Sequence, residues 1–224
     1  MSGEDTNRLT LKRVALCALG IFFVSLGIAI TASSDLGTSP ISSLAWVAHR
    51  VSQISPLLPE ITFGTTSFAL NVIFFLTQWA ILRRDFERTQ FLQLPCTVLF
   101  GVAIDFCMFL CGFFPVASYP GRVAEVVVGC AVVALGLTCE FAAEVLYLPG
   151  DGMVKTLSRV LGMKIGATKI AFDVFLVVAS VVLSLAFIGR CVGVREGALI
   201  SMFAVGFFVR LCQPVVDRLK RIVC

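Results

Sequence analysis

Uncharged apolar stretches recur along the chain at lengths set by a bilayer. Val14–Ser34 and Ile61–Leu82 run without a single charge, and about 20 helical residues cross roughly 30 Å of hydrocarbon. Four further apolar segments, about 95–114, 124–144, 166–188 and 195–212, are interrupted or bounded by charge yet keep the length of a span. The pattern predicts an all-α polytopic membrane protein with six transmembrane helices. Helices are favoured over a barrel because these runs are continuously apolar, whereas barrel strands alternate apolar and polar residues. The longest connection, around 32–62, is itself largely apolar. A single membrane domain over residues 1–224 is therefore expected, with no soluble domain. Met1–Arg13 is polar and precedes an apolar run of span length without a small-residue cleavage site, which predicts a retained first helix.

Composition agrees with the pattern. Hydrophobic residues make up 58% of the chain and charged residues 14%, against about a quarter charged in soluble domains. The placement of charge then orients the spans. With a cytoplasmic N-terminus, only Arg50, Arg122, Arg190 and Arg195 of the 18 basic residues fall outside, as the positive-inside rule requires. Five or seven spans would scramble this asymmetry. Both termini are expected in the cytoplasm, with 213–224 a basic cytoplasmic tail. The net charge of +4 reads as topology and lipid contact, not nucleic-acid binding.

An internal repeat is visible. Sliding the chain by 109 residues brings Leu26-Gly27 onto Leu135-Gly136, Asp35 onto Glu144, Pro40 onto Pro149 and Arg50 onto Arg159. Dropping seven residues from the second copy then brings Phe63–Val72 onto Ile165–Val174, and further on Gly101 meets Gly206. The copies run over about 14–114 and 122–212. Three spans per copy reverse the chain, so the repeats are expected to be inverted, as in several secondary-transporter folds. Each copy carries a short helix led by proline, after Ser39-Pro40 and after Leu148-Pro149. Proline suits the first helical position, and about 12 residues rise only about 18 Å. These helices either re-enter toward the midplane or lie at the interface.

Polar residues within spans point to function, since charge in hydrocarbon costs several kcal/mol. Thr38, Ser39, Asn71, Asp105, Asp151 and Asp173 are the candidate substrate-binding residues. Each has a plainer reading: Asp173 can pair with Lys169 at i−4, Asp105 with a basic side chain such as Arg210, and Asn71 can bond between helices. Asp35 and Glu144 are expected at the water boundary, and Glu140 within the fourth span, about four to six residues from its cytoplasmic end. Gly20, Gly27, Gly129 and Gly136, spaced by seven, mark close helix packing. The nine cysteines mostly fall in spans, where they act as small apolar residues, though Cys107 and Cys111 share a helix face. No catalytic motif of the zincin, nucleophile-elbow, Walker or dinucleotide type occurs, and the single histidine, His49, lies in a connection. No enzyme activity, cofactor or metal is expected.

Taken together, Leu26-Gly-Ile-Ala29, Asp35–Ser43, Thr62–Thr66, Leu92-Gln-Leu-Pro95, Leu148–Gly152 and Val192–Gly197 resemble the YczE/YyaS/YitT group of predicted bacterial membrane proteins, from about 14 to 212. The resemblance implies a multi-pass protein of the bacterial inner membrane and brings no substrate or catalytic residue with it. Two functions stay open. One is a small secondary transporter or permease for a small molecule or ion, forming a homo-oligomer. The other is a non-transporting accessory subunit of a biosynthetic or signalling complex.

Overall fold

The computed structural model describes residues 3–54, 59–143, 148–212 and 214. Glu144 and the tail 213–224, apart from 214, lie outside the described residues, as do the side chains of Arg8, Arg84 and Arg88. All regular structure within them is helical: α1 Gly3–Ser33, α2 Pro40–Ile54, α3 Phe63–Leu82, α4 Gln93–Cys111, α5 Tyr119–Ala143, α6 Pro149–Leu161, α7 Ile165–Ile188 and α8 Glu196–Leu211. Two short 3-10 turns link α3 to α4. A single β-bridge joins Gly37 to Val194.

Five helices are long and apolar enough to cross a bilayer: Lys12–Ser33 of α1, α3, α4 with the preceding turn, α5 and α7. The sixth expected span, α8, is helical but has 16 residues, about 24 Å at 1.5 Å per residue and short of the roughly 30 Å needed. Glu196 lies in its first turn and Arg210 in its last. Among the described residues, five helices have the length and apolarity of a full span.

The helices start and stop where local chemistry dictates. α2 and α6 begin at Pro40 and Pro149, where a missing N–H costs nothing. The Thr62 side chain accepts from Thr65 N at 3.1 Å to cap α3. α6 and α7 close on left-handed Gly162 and Gly189, a conformation that glycine adopts without a Cβ penalty.

α1 and α5 form the centre, packed antiparallel on one another through the glycines spaced by seven. A Cβ on Gly27 would sit 2.6 Å from the Gly129 carbonyl oxygen, and one on Gly136 2.7 Å from that of Gly20. Such seams let backbones approach where the hydrophobic effect gives no drive. α4 packs on α1 and α8 on α5; α6 packs on α3 and α2 on α7. The apolar residues Ile21, Val24, Ile28, Phe100, Ile104 and Val133 fill the core between α1, α4 and α5. Large apolar side chains also face outward, among them Phe106 and Phe109 on α4, Phe175 and Val178 on α7, and Phe203 and Phe207 on α8. That outer surface is what lipid contact requires.

Candidate functional site

After α1 the chain turns back on itself. Asp35 takes a left-handed φ of 58° and Gly37 a φ of 107°, and the Thr38 hydroxyl bonds that of Thr31, one turn back along α1, at 2.9 Å. The strand-like segment thus descends beside α1 and delivers Ser39-Pro40 to the level of Val24 and Ile28. From there α2 runs back outward, and its far half packs near the start of α3, with the Trp46 ring 5.0 Å from that of Phe63. His49 is held in the same place, its Nδ1 2.6 Å from the Ile61 carbonyl oxygen.

α6 does the same from the other end of α3. The Gln78 side chain donates to the Pro149 carbonyl at 2.9 Å, and Gly152 presses so close to Gln78 that a Cβ would lie 2.7 Å from its Oε1. At its far end Arg159 pairs with Asp85 in the α3–α4 connection at 3.6 Å. α2 and α6 therefore point their N-termini at each other from opposite ends of α3. They meet where Gly150 faces Ile41, with 3.3 Å from a Cβ placed on Gly150 to Ile41 Cδ1. The N-termini of the two helices therefore converge on one point.

The meeting point is a cavity of about 450 Å³, within the range of small-molecule sites. Its walls come from α1, α4, α5 and α8 and are mainly apolar, including Val24, Ile28, Phe100, Val133, Leu137 and Val205. Its polar end gathers Ser39 and Ser42 of the α2 start, Gly150 and Asp151 of the α6 start, Asn71 of α3, and Lys169 and Asp173 of α7. Lys169 Nζ lies 3.2 Å from Asp173 Oδ1 and 3.7 Å from Asp151 Oδ1. Asn71 is buried and spends its amide N–H on the Ser67 carbonyl at 2.9 Å, with its Oδ1 on the Gly150 side. The N-terminal ends of α2 and α6, which carry partial positive charge, also converge here.

Of the candidates read from sequence, Ser39, Asn71, Asp151 and Asp173 line this one cavity. Thr38 does not; it is fully buried against Thr31. Asp105 is elsewhere too. Its carboxylate accepts from Thr62 Oγ1 and from Gly64 N, both at 2.6 Å, so it completes the cap of α3 and has no contact with Arg210. Lys169 pairs with Asp173 at i+4 as its spacing suggests, while its bridge to Asp151 had no local signal.

The boundary acids separate. Asp35 pairs with Arg50 at 3.4 Å near the surface. Glu140, read as lying within the fourth span, is 2% exposed, and its Oε1 is buried without a hydrogen-bond partner. Its Cγ and backbone N pack against Gly20, within 3.0 Å of a Cβ placed there. Among the described residues no group of three or more His, Cys, Asp and Glu could hold a metal ion.

Residues 11–214 match the model of a family of unknown function, DUF6198. No curated protein and no solved structure matches the chain.

Proposed function

Because the chain belongs to the DUF6198 family, a family of unknown function, its membership supplies no activity, and we propose from the cavity itself that the protein is a small secondary-transporter-like carrier. The observation that carries this reading is the convergence of two half-helix N-termini, from opposite ends of α3, on one cavity with a polar end. Broken or re-entrant helices meeting at the midplane build substrate sites in many transporter folds.

The inverted repeat belongs to the same proposal. The shift of 109 residues relates Gly20 to Gly129 and Gly27 to Gly136, and these glycines pack as Gly20 on Gly136 and Gly27 on Gly129. A two-fold axis between α1 and α5 exchanges the two contacts. The same operation relates Gln78 against Gly152 to Ser180 against Ser43, whose hydroxyls are 3.1 Å apart. It also relates α4 on α1 to α8 on α5, and α6 on α3 to α2 on α7. The motif likeness to the YczE/YyaS/YitT group and the split of basic residues fit a bacterial inner-membrane protein with a cytoplasmic N-terminus.

The lining defines the cargo by chemistry. Two carboxylates, one ammonium and two helix ends of about half a positive charge each nearly cancel, so an uncharged or zwitterionic head suits the polar end. The apolar walls suit an apolar body. Carriage requires the cavity to open to each side in turn, which cysteine accessibility reads without knowledge of the cargo. In a variant with every native cysteine replaced, Ser39→Cys and Asp151→Cys should each react with a membrane-impermeant maleimide added to either face of sealed vesicles. Labelling from one face only, at both positions, would refute carriage.

A further inference from the structure

A second concave site lies apart from the central cavity, at the end of the molecule that carries the α7–α8 connection. It encloses about 210 Å³ between the far end of α2 and that connection, and Arg50, Arg190 and Arg195 line it with Asp35 as the one carboxylate. These are three of the only four basic residues that the charge split puts outside the cytoplasm, so their gathering at one point runs against the general depletion of positive charge there.

Their hydrogen bonding is incomplete. Arg50 reaches Asp35 Oδ1 and Gln53 Oε1 only at 3.4 Å each, and its Nε is buried with no acceptor. Arg195 reaches the Asp35 carbonyl at 3.4 Å and Glu196 at 3.5 Å. Among the described residues the Arg190 guanidinium has no partner, only its carbonyl being used, by Ser184 Oγ at 2.6 Å. Charge-assisted bonds to guanidinium favour 2.7–2.9 Å, so every contact seen is long. Nor does any of the three donate to the last carbonyls of α2 or α7, which would have explained them as helix caps. Arg50 is nevertheless held in place, its guanidinium carbon 4.9 Å from the Trp46 ring centre, and the pocket floor is fixed by Gly193, whose φ is 80°.

We propose that this pocket binds a phosphate-type oxyanion, with Arg50 and Arg190 as its principal donors. Guanidinium matches phosphate oxygens bidentately, the buried Arg50 Nε gains the acceptor it lacks, and the volume holds a phosphate group with bound water. The phosphate can come from a phospholipid headgroup or from a soluble solute, and the two sources separate experimentally. Arg190→Ala is the main variant because that guanidinium supports no other contact, and Arg50→Lys tests the buried donor with charge retained. Arg122→Ala, an outside arginine bound to the Val116 carbonyl at 3.2 Å, controls for general charge.

Native mass spectrometry of the full chain from detergent, with phosphatidylglycerol added back, reads the lipid source. Thermal melting against inorganic phosphate reads the soluble source. A bound phospholipid lost at least tenfold in Arg190→Ala but not in Arg122→Ala, or a phosphate-dependent rise in melting temperature with the same pattern, supports the site and names the source. Neither effect in the unmodified protein, or equal loss in Arg122→Ala, overturns it.

Discussion

At the scale of single residues, Lys169 holds the polar end of the cavity together. It bridges Asp151 and Asp173, and Asp173 is the more enclosed of the two, with 12% of its side chain exposed against 33%. Removing the cation leaves the enclosed carboxylate unpaired, which is costlier than removing both members of a pair. Lys169 is itself 40% exposed, and solvent screening reduces the effect. Lys169→Ala should therefore lower stability by about 1 kcal/mol, and adding Asp173→Asn should restore most of it. Unfolding of the purified protein in mild denaturing detergent checks this. Equal stability of the single and double variants would mean that the pair is not coupled.

At the scale of helices, glycine has two opposite meanings in this chain. In the α1–α5 seam any side chain collides with backbone, since a Cβ on Gly27 meets Gly129 O and Val133 N at 2.6 Å. Gly166 and Gly206 meet nothing within 4 Å. Gly27→Val should cost several kcal/mol and reduce folded yield, while Gly166→Ala should be neutral or stabilise by up to about 1 kcal/mol through helix propensity. Size-exclusion recovery and melting of the two variants separate the cases, and a harmless Gly27→Val would refute the seam.

The sequence makes the seam visible because its spacing is local, and it shows both proline-led helices starting where they do because proline acts on its own backbone. Asp105 is different. It stands out as a rare acid within a span, but its partners Thr62 and Gly64 lie more than 40 positions away and only packing brings them there. Asp151 and Lys169, 18 positions apart on different helices, are also brought together only by packing.

For the molecule as a whole, the inverted repeat proposed above would relate the packing of α4 on α3 to that of α8 on α7, and there the contacts differ most. α4 lies on α3 with Gly101 against Phe68, where a Cβ on Gly101 would be 3.3 Å from Phe68 Cβ. The related helices α8 and α7 share no such seam, and the related residues Gly206 and Ile170 instead face the cavity. A carrier built from inverted halves reaches its second state by exchanging their conformations, so α8 would close on α7 while α4 parts from α3. Disulfides form when Cβ atoms come to about 3.5–4.5 Å. In the background without native cysteines, Phe68→Cys with Gly101→Cys should cross-link in the state described here. Ile170→Cys with Gly206→Cys should cross-link only in the exchanged state, and trapping either pair should prevent the other from forming when all four are present. Full cross-linking of both pairs in one molecule would show that the two seams close independently, and the asymmetry between the halves would then be a fixed feature of the fold, with no part in transport.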